Sequence, residues 1–448
     1  MSALPARPPY AIRARLLSPL ADGGLLDELD GLIEVDAAGR IARAGPWPGT
    51  EAAPAAVLDL RPMVLLPGLV DLHVHLPQIP NAGLGAGLDL LTWLDRYIFP
   101  LETAYDRSVA ERQAPAAFRA FAAAGTTTVV AYAALWEDST DAAFAAAEAH
   151  GIRAVIGKVM MDRVTYDRAI APDDILETSL RQSDELATRW HGRDRGRLRY
   201  AFTPRFAVSC TPAMLRESAS LARVHGAYWQ THLSEDAGEI EEVLRLFPGA
   251  RDYLDVYDRA DALGPRAILA HAIHLSEREV ARIVETGARV AHCPASNLFL
   301  SSGMMPLGAY RAAGVPLGLG SDVAAGPELS IFTVMRAGAV TQRVLELTGR
   351  ADRVNATRAV EWLRLGTLEG ARALGMEDEI GSLEAGKEAD LIAVDPRLTT
   401  PLPGDAPPLE AADDVMSRLV FRPHPNMVRA AWVRGRLLDG PPGLDTIG

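Results

Sequence analysis

The stretch Pro67-Gly68-Leu69-Val70-Asp71-Leu72-His73-Val74-His75 is an apolar run that ends in His-x-His. Alternate side chains of a β-strand point to the same side. His73 and His75 therefore project together while Val74 faces away. Two imidazoles converging at the mouth of a buried strand suit a metal ion. Zn²⁺ or Fe²⁺ held there can bring the pKa of a water down to roughly 7, making a nucleophile at neutral pH. The run alone points towards metal-dependent hydrolysis.

Working outward, eight apolar strand-like runs alternate with helical segments: 63–70, 126–131, 152–159, 198–203, 227–232, 267–271, 288–292 and 316–322. The helical stretches include 107–124, which is Ala-rich and stops at Gly125, and also 173–190, 212–225 and 276–285. A glycine just past the last turn is a common helix stop. Eight strand–helix units predict a (β/α)8 TIM-type barrel rather than an open sheet. No Gly-x-Gly-x-x-Gly opens a helix after the first strand, which argues against a dinucleotide fold.

Both ends of the chain read differently. Short strands are expected at 11–17, 32–35 and 40–44, and again at 391–394, 429–433 and 436–438. They predict one small β-sandwich domain built from both termini, residues 1–62 plus 376–448, around a catalytic barrel of residues 63–375. Two independent terminal domains are the alternative.

The polar residues then fall at strand ends, where barrel active sites are assembled. His73 and His75 end strand 1, Arg205 follows strand 4, His232 ends strand 5, His271 ends strand 6 and Asp322 ends strand 8. His73, His75, His232 and Asp322 offer three nitrogens and one oxygen, a first shell for one Zn²⁺ with a position left for water. Fe²⁺ accepts the same set. Asp322 can ligate and also take a proton from the water. His271 can hydrogen-bond that water or a developing oxyanion. Glu235, three residues past His232, can carry a proton to a ring nitrogen or a leaving amine.

Simpler readings stand beside these. A lone His-x-His is weak without its strand and Pro-Gly; His232 could be a core histidine; Asp322 could cap a helix. His292, before Cys293-Pro294, reads as structural or pocket wall, and His274 as a residue behind the ligands. His150, His191, His225 and His424 read as surface groups.

Composition excludes several partners. The 448 residues carry 45 Lys+Arg against 58 Asp+Glu, a net charge of −13. With no long basic cluster, nucleic acid and anionic membrane surfaces are poor partners. No apolar stretch approaches the ~18 residues of a membrane span. Two cysteines, Cys210 and Cys293, make no disulfide framework and suit a reducing cytoplasm.

Taken together, the motifs Pro67-Gly68-x-x-Asp71-x-His73-x-His75, Thr231-His232-x-Ser234-Glu235, Ala270-His271, His292-Cys-Pro-x-Ser-Asn297 and Gly320-Ser321-Asp322 resemble the amidohydrolase superfamily. The closing Gly381-Ser-Leu-Glu-Ala-Gly-Lys387-Glu-Ala-Asp390-Leu is similar too. More narrowly, His75-Leu-Pro-Gln78, Leu91-Thr-Trp93-Leu-x-x-Tyr97-x-Phe99-Pro100 and Thr203-Pro-Arg205-Phe206 resemble guanine deaminases. That resemblance implies a purine substrate, a homodimer, and hydrolysis of guanine to xanthine and ammonia by attack of water on C2. It implies that Gln78, Arg205 and Phe206 read or pack the ring. Trp93 would line the pocket or simply pack. Two segments, 163–170 and 324–328, fit no pattern of the family, so a pterin, 8-oxoguanine or a triazine stays open as the ring. Many two-metal relatives carry a bridging lysine after strand 4; here that position is Thr203-Pro-Arg205, which favours one metal.

Overall fold

The computed structural model describes residues 4–166, 170–350, 358–402 and 409–444. A seven-stranded sheet is built from both ends of the chain. Its members are β1 (Tyr10–Pro19), β2 (Leu25–Val35), β3 (Ile41–Pro46), β4 (Leu58–Pro67), β14 (Leu391–Val394), β15 (Val428–Val433) and β16 (Arg436–Leu437). They lie in the order β16-β15-β14-β4-β1-β2-β3, antiparallel except where β1 runs parallel to β4. Ile12, Ala14 and Leu16 of β1 alternate inward and pack with Ile33, Leu65, Leu391 and Trp432.

The rest of the sheet structure is a parallel barrel. Its strands are β5 (Leu69–His75), β6 (Thr126–Tyr132), β7 (Arg153–Gly157), β9 (Leu198–Pro204), β10 (Tyr228–Leu233), β11 (Ala267–His271), β12 (Arg289–His292) and β13 (Leu317–Leu319). A two-residue strand, β8 (Val159–Met160), also pairs with β9. The expected run 152–159 is thus divided between β7 and β8. The ring nears closure where Asp322 N donates to the His73 carbonyl at 2.7 Å and His75 N to the Val323 carbonyl at 3.0 Å. The Asp71 carboxylate adds a tie, accepting from Ser321 N at 2.9 Å.

One expected strand needs correcting. Residues 63–70 do not form a single strand; β4 ends at Pro67 in the terminal sheet, and β5 begins the barrel at Leu69. Gly68 lies at the crossing because a Cβ there would stand 2.0 Å from Thr127 Oγ1. The run is apolar throughout because both strands are buried, so periodicity does not mark the break.

A bulge then sets the direction of the histidines. Asp71 pairs with Val129 and Val74 with Ala131, leaving one extra residue on β5. Bulges of this kind re-aim side chains. Val70 and Leu72 pack inside the barrel with Val130, Val155 and Ala201, whereas Val74 packs outside against the helical layer. The extra residue lets His73 and His75 also face inward.

Helices Arg107–Ala123, Glu137–His150, Pro172–Trp190, Pro212–His225 and Glu277–Thr286 cover the strands. Asp106, Thr211 and Ser276 cap three of them through side-chain oxygens, and Gly151, Gly226 and Gly287 end three in the left-handed conformation. Among the described residues no helix is long and apolar enough to cross a membrane.

Candidate metal centre and ring pocket

At the C-terminal mouth of the barrel, four predicted ligands meet. His75 Nε2 lies 3.3 Å from both His73 Nε2 and His232 Nε2. Asp322 Oδ1 is 3.2 Å from His73 Nε2 and 3.5 Å from His75 Nε2. Bonds of about 2.0–2.1 Å arranged tetrahedrally separate ligand atoms by about 3.4 Å, so these spacings fit one ion. All four side chains are buried. Burial pulls His73, His75 and His232 below the usual imidazole range, keeping them neutral with lone pairs available. For Asp322, burial acts upward, but the facing His73 prevails and holds the carboxylate below its ordinary value.

The four side chains are held from behind. His232 Nδ1–H donates to the Arg205 carbonyl at 2.6 Å, which turns Nε2 into the cluster. Tyr257 donates to the His232 carbonyl at 2.7 Å. Tyr132 of β6 packs against His75 with ring centroids 4.5 Å apart. Gly320 lets the chain pass His73, whose Cβ would lie 2.8 Å from any Cβ placed there. His271 and Asp322 both have positive φ, 70° and 51°. Such strain in non-glycine residues gathers at functional sites.

Glu235 and His271 stand beside this cluster. His271 Nε2 is 3.3 Å from Glu235 Oε2 and 3.7 Å from Asp322 Oδ2, while His271 Nδ1–H donates to Asn297 Oδ1 at 2.9 Å. Ser302 donates to Glu235 Oε1 at 3.3 Å. Burial first, then the Asp322 carboxylate, push Glu235 well above its ordinary pKa. The environment thus shifts two neighbouring carboxyl groups in opposite directions, Glu235 upward and Asp322 downward, the separation that assigns acid and base roles. His73, His232 and His271 also form a second grouping capable of holding an ion.

A cavity opens onto this cluster, with His75, His232, Glu235 and Asp322 in its wall. Gln78, Trp93, Arg205 and Phe206 all line it, with Leu90, Leu94, Leu300 and Ala325. Trp93 does both jobs left open by the sequence: it faces the cavity and is buried, donating from Nε1 to the Leu84 carbonyl at 3.0 Å. Ala325 brings the otherwise unplaced segment after Asp322 into the wall.

Sequence reasoning missed Glu102, buried in the short helix Phe99–Thr103. Gln78 Nε2 donates to Glu102 Oε1 at 2.7 Å, and Arg205 Nη1 to Glu102 Oε2 at 2.6 Å. Burial works to discharge Arg205, but the Glu102 carboxylate outweighs it and holds the guanidinium charged. Tyr166, from the other unplaced segment, is buried against Phe99 with ring centroids 5.7 Å apart. Residues 167–169 lie outside the described residues.

The other histidines divide. His274 Nε2–H donates to the Ser302 carbonyl at 2.8 Å, one residue behind Glu235. His292 is buried with neither ring nitrogen hydrogen-bonded among the described residues, and burial pulls it down to about 3. His424 is exposed, but His150, His191 and His225 are half-buried rather than free surface groups. His225 faces Asp184 at 2.6 Å, and His191 Nδ1 accepts from Tyr200 N at 3.1 Å.

A barrel with three neutral histidines and an aspartate at its mouth defines a metal-dependent hydrolase. The chain belongs to the amidohydrolase family, whose model matches residues 64–438. It is 37% identical over 375 residues to the guanine deaminase of Escherichia coli (strain K12), covering 83% of this chain and 82% of that protein. Among solved structures it is similar to a guanine deaminase from C. acetobutylicum with bound guanine in the active site. The TM-score is 0.86 at 27% identity, covering 96% of this chain and 99% of that one. It is also similar to an adenosine deaminase from Xanthomonas campestris with bound zinc, with a TM-score of 0.82 at 28% identity over 99% and 96% of the two chains.

Proposed function

We propose that the protein hydrolyses guanine to xanthine and ammonia, with His73, His75, His232 and Asp322 holding one Zn²⁺. The observation that carries the reading is the lining of the cavity, which His75, His232 and Asp322 of the proposed ligand cluster share with Gln78, Trp93, Arg205 and Phe206. The ligand chemistry, neutral nitrogens plus one carboxylate oxygen, fits zinc and accepts iron. Bound there, the ion supplies Lewis acidity that lowers the pKa of a coordinated water to roughly 7.

The chain's own groups do the rest. Arg205 and Gln78 hydrogen-bond the ring edge, and Phe206 and Trp93 pack against its faces and rim. These contacts set C2 against the ligand cluster. Glu235, whose protonated form burial favours, gives its proton to the ring nitrogen beside C2 as water oxygen adds to that carbon. Asp322 accepts a proton from the water, and His271 hydrogen-bonds the oxygen as charge develops on it. The proton on Asp322 then goes to the exocyclic amine, the hydroxyl proton on C2 returns to Glu235 as the C2–N bond breaks, and xanthine and ammonia leave.

The same reading takes the protein as a cytoplasmic homodimer. Two buried, unpaired cysteines suit a reducing compartment. Light scattering on the purified protein checks the dimer. Substrate choice is checked by ammonia release from guanine, a pterin, 8-oxoguanine and an amino-triazine. Guanine is expected to have the highest kcat/KM; a higher value for any other ring overturns the assignment.

A further inference from the structure

Gln78 and Arg205 sit 127 positions apart in sequence, yet a single buried carboxylate joins them. Glu102 has no exposed surface, and each of its oxygens accepts from one of the two. An ionised carboxylate only accepts hydrogen bonds. It therefore dictates which end of the Gln78 amide faces it: Nε2 is turned to Glu102. The carbonyl oxygen, Oε1, is buried and accepts nothing among the described residues, while the side chain lines the ring cavity. Arg205 is anchored in the same way through Nη1 and has only donors left to offer. Its guanidinium carbon lies 5.5 Å from the centre of the Phe99 ring, a residue of Glu102's own helix.

We propose that Glu102 is a positioning residue that fixes the hydrogen-bond polarity of the ring pocket, so that Gln78 meets the substrate as an acceptor beside the Arg205 donors. A ring that complements this wall carries an N–H donor next to an acceptor. Guanine has such an edge at N1–H beside O6, which leaves N3 to take the Glu235 proton. A purine in which the ring N–H is replaced by a lone pair meets the Gln78 oxygen with repulsion. The inference rests on the guanine reading and deepens it: specificity is set by Glu102, which does not itself face the ring.

The polarity depends on the carboxylate. In Glu102→Gln the new amide can donate as well as accept, and Gln78 is free to turn its NH₂ to the ring. Such a pocket loses its preference for the donor edge. A site built to hydrogen-bond one group rejects analogues lacking it by as much as ~10⁴-fold, so there is ample discrimination to lose.

The experiment compares kcat/KM for guanine with 2-aminopurine, which lacks O6 and N1–H, and with 9-methylguanine, which lacks N9–H. All three keep the C2 amine, so ammonia release reports each. Zinc content is measured on every preparation. Glu102→Gln is expected to lower kcat/KM for guanine by roughly 10²-fold, mainly through KM, with zinc retained. It should also compress the preference for guanine over 2-aminopurine fivefold or more. A merely structural role would slow all three rings alike. Gln78→Met removes the oriented oxygen without touching the Glu102–Arg205 pair and should compress the same preference; it decides the matter alone should Glu102→Gln not fold. Preferences changed less than fivefold in Gln78→Met, or in a folded Glu102→Gln, overturn the proposal. A zinc-loaded wild-type enzyme inert towards guanine overturns the functional reading itself, and this inference with it.

Discussion

His232 Nδ1–H donates to the carbonyl oxygen of Arg205 across 2.6 Å. One residue thus contributes its side chain to the ring cavity and its backbone to the orientation of a ligand. β9 and β10 are neighbours in the barrel, and the hydrogen bond crosses just past the end of their pairing. On the proposed reading, ring binding and metal holding are tied together there, but through different atoms of Arg205, which makes them separable by mutation.

Arg205→Ala keeps the backbone acceptor and is expected to retain zinc while kcat/KM for guanine falls by about 10²–10³-fold, the scale for a lost charge-assisted pair. It also strands the buried Glu102 carboxylate, a loss of about 3–5 kcal/mol in stability. Steady-state kinetics, metal analysis and urea unfolding on one preparation check all three.

Replacing a ligand acts on the other side of that tie. His73→Ala and Asp322→Ala should each lose stoichiometric metal and drop kcat by about 10³-fold or more. Mass-spectrometric metal quantification with ammonia release checks this; stoichiometric metal retained in both variants contradicts the assigned ligand set.

Glu235→Gln replaces the proton donor with a group of the same shape. The expected result is full metal content and a fall of about 10²–10⁴-fold in kcat with little change in KM. Equal losses in metal and activity would instead mark Glu235 as a ligand.

The His191 imidazole is drawn down to about 4, by burial first and then by the Arg199 and Arg266 charges. Its folded pKa lies below the unfolded value of about 6.5. The native state therefore disfavours the proton. Its contribution to stability is present above about pH 6.5 and is lost as pH falls through 6.5 towards 4. Urea midpoints measured from pH 7.5 down to pH 4.5 should fall less steeply for His191→Gln than for the wild type; parallel curves contradict the assignment.

The cluster at the barrel mouth was legible because barrel geometry puts strand ends together, so a polar residue ending an apolar run carries position as well as chemistry. His73, His75, His232 and His271 all show this signal, and so does Asp322, which follows β13 by three residues. The bulge that turns both histidines inward was not legible, since Val70, Asp71 and Leu72 give no local sign of an extra residue. Nor was the break at Gly68, where two buried strands adjoin in one apolar run. Glu102 escaped for a different reason. It lies 24 positions after Gln78 and 103 before Arg205, with no periodic relation to either, and only the packing of its short helix over the barrel mouth brings the three together. An acid closing an otherwise apolar run, Phe99-Pro-Leu-Glu102, was the one available hint.

The most direct test of the account follows guanine consumption by protein carrying one equivalent of zinc, before and after chelation and after zinc is restored. Xanthine and ammonia should appear in equal amounts with the loaded protein, cease to form once the metal is removed, and return with it. Guanine left unconsumed by the loaded protein, or consumed as fast after the metal has gone, would contradict it.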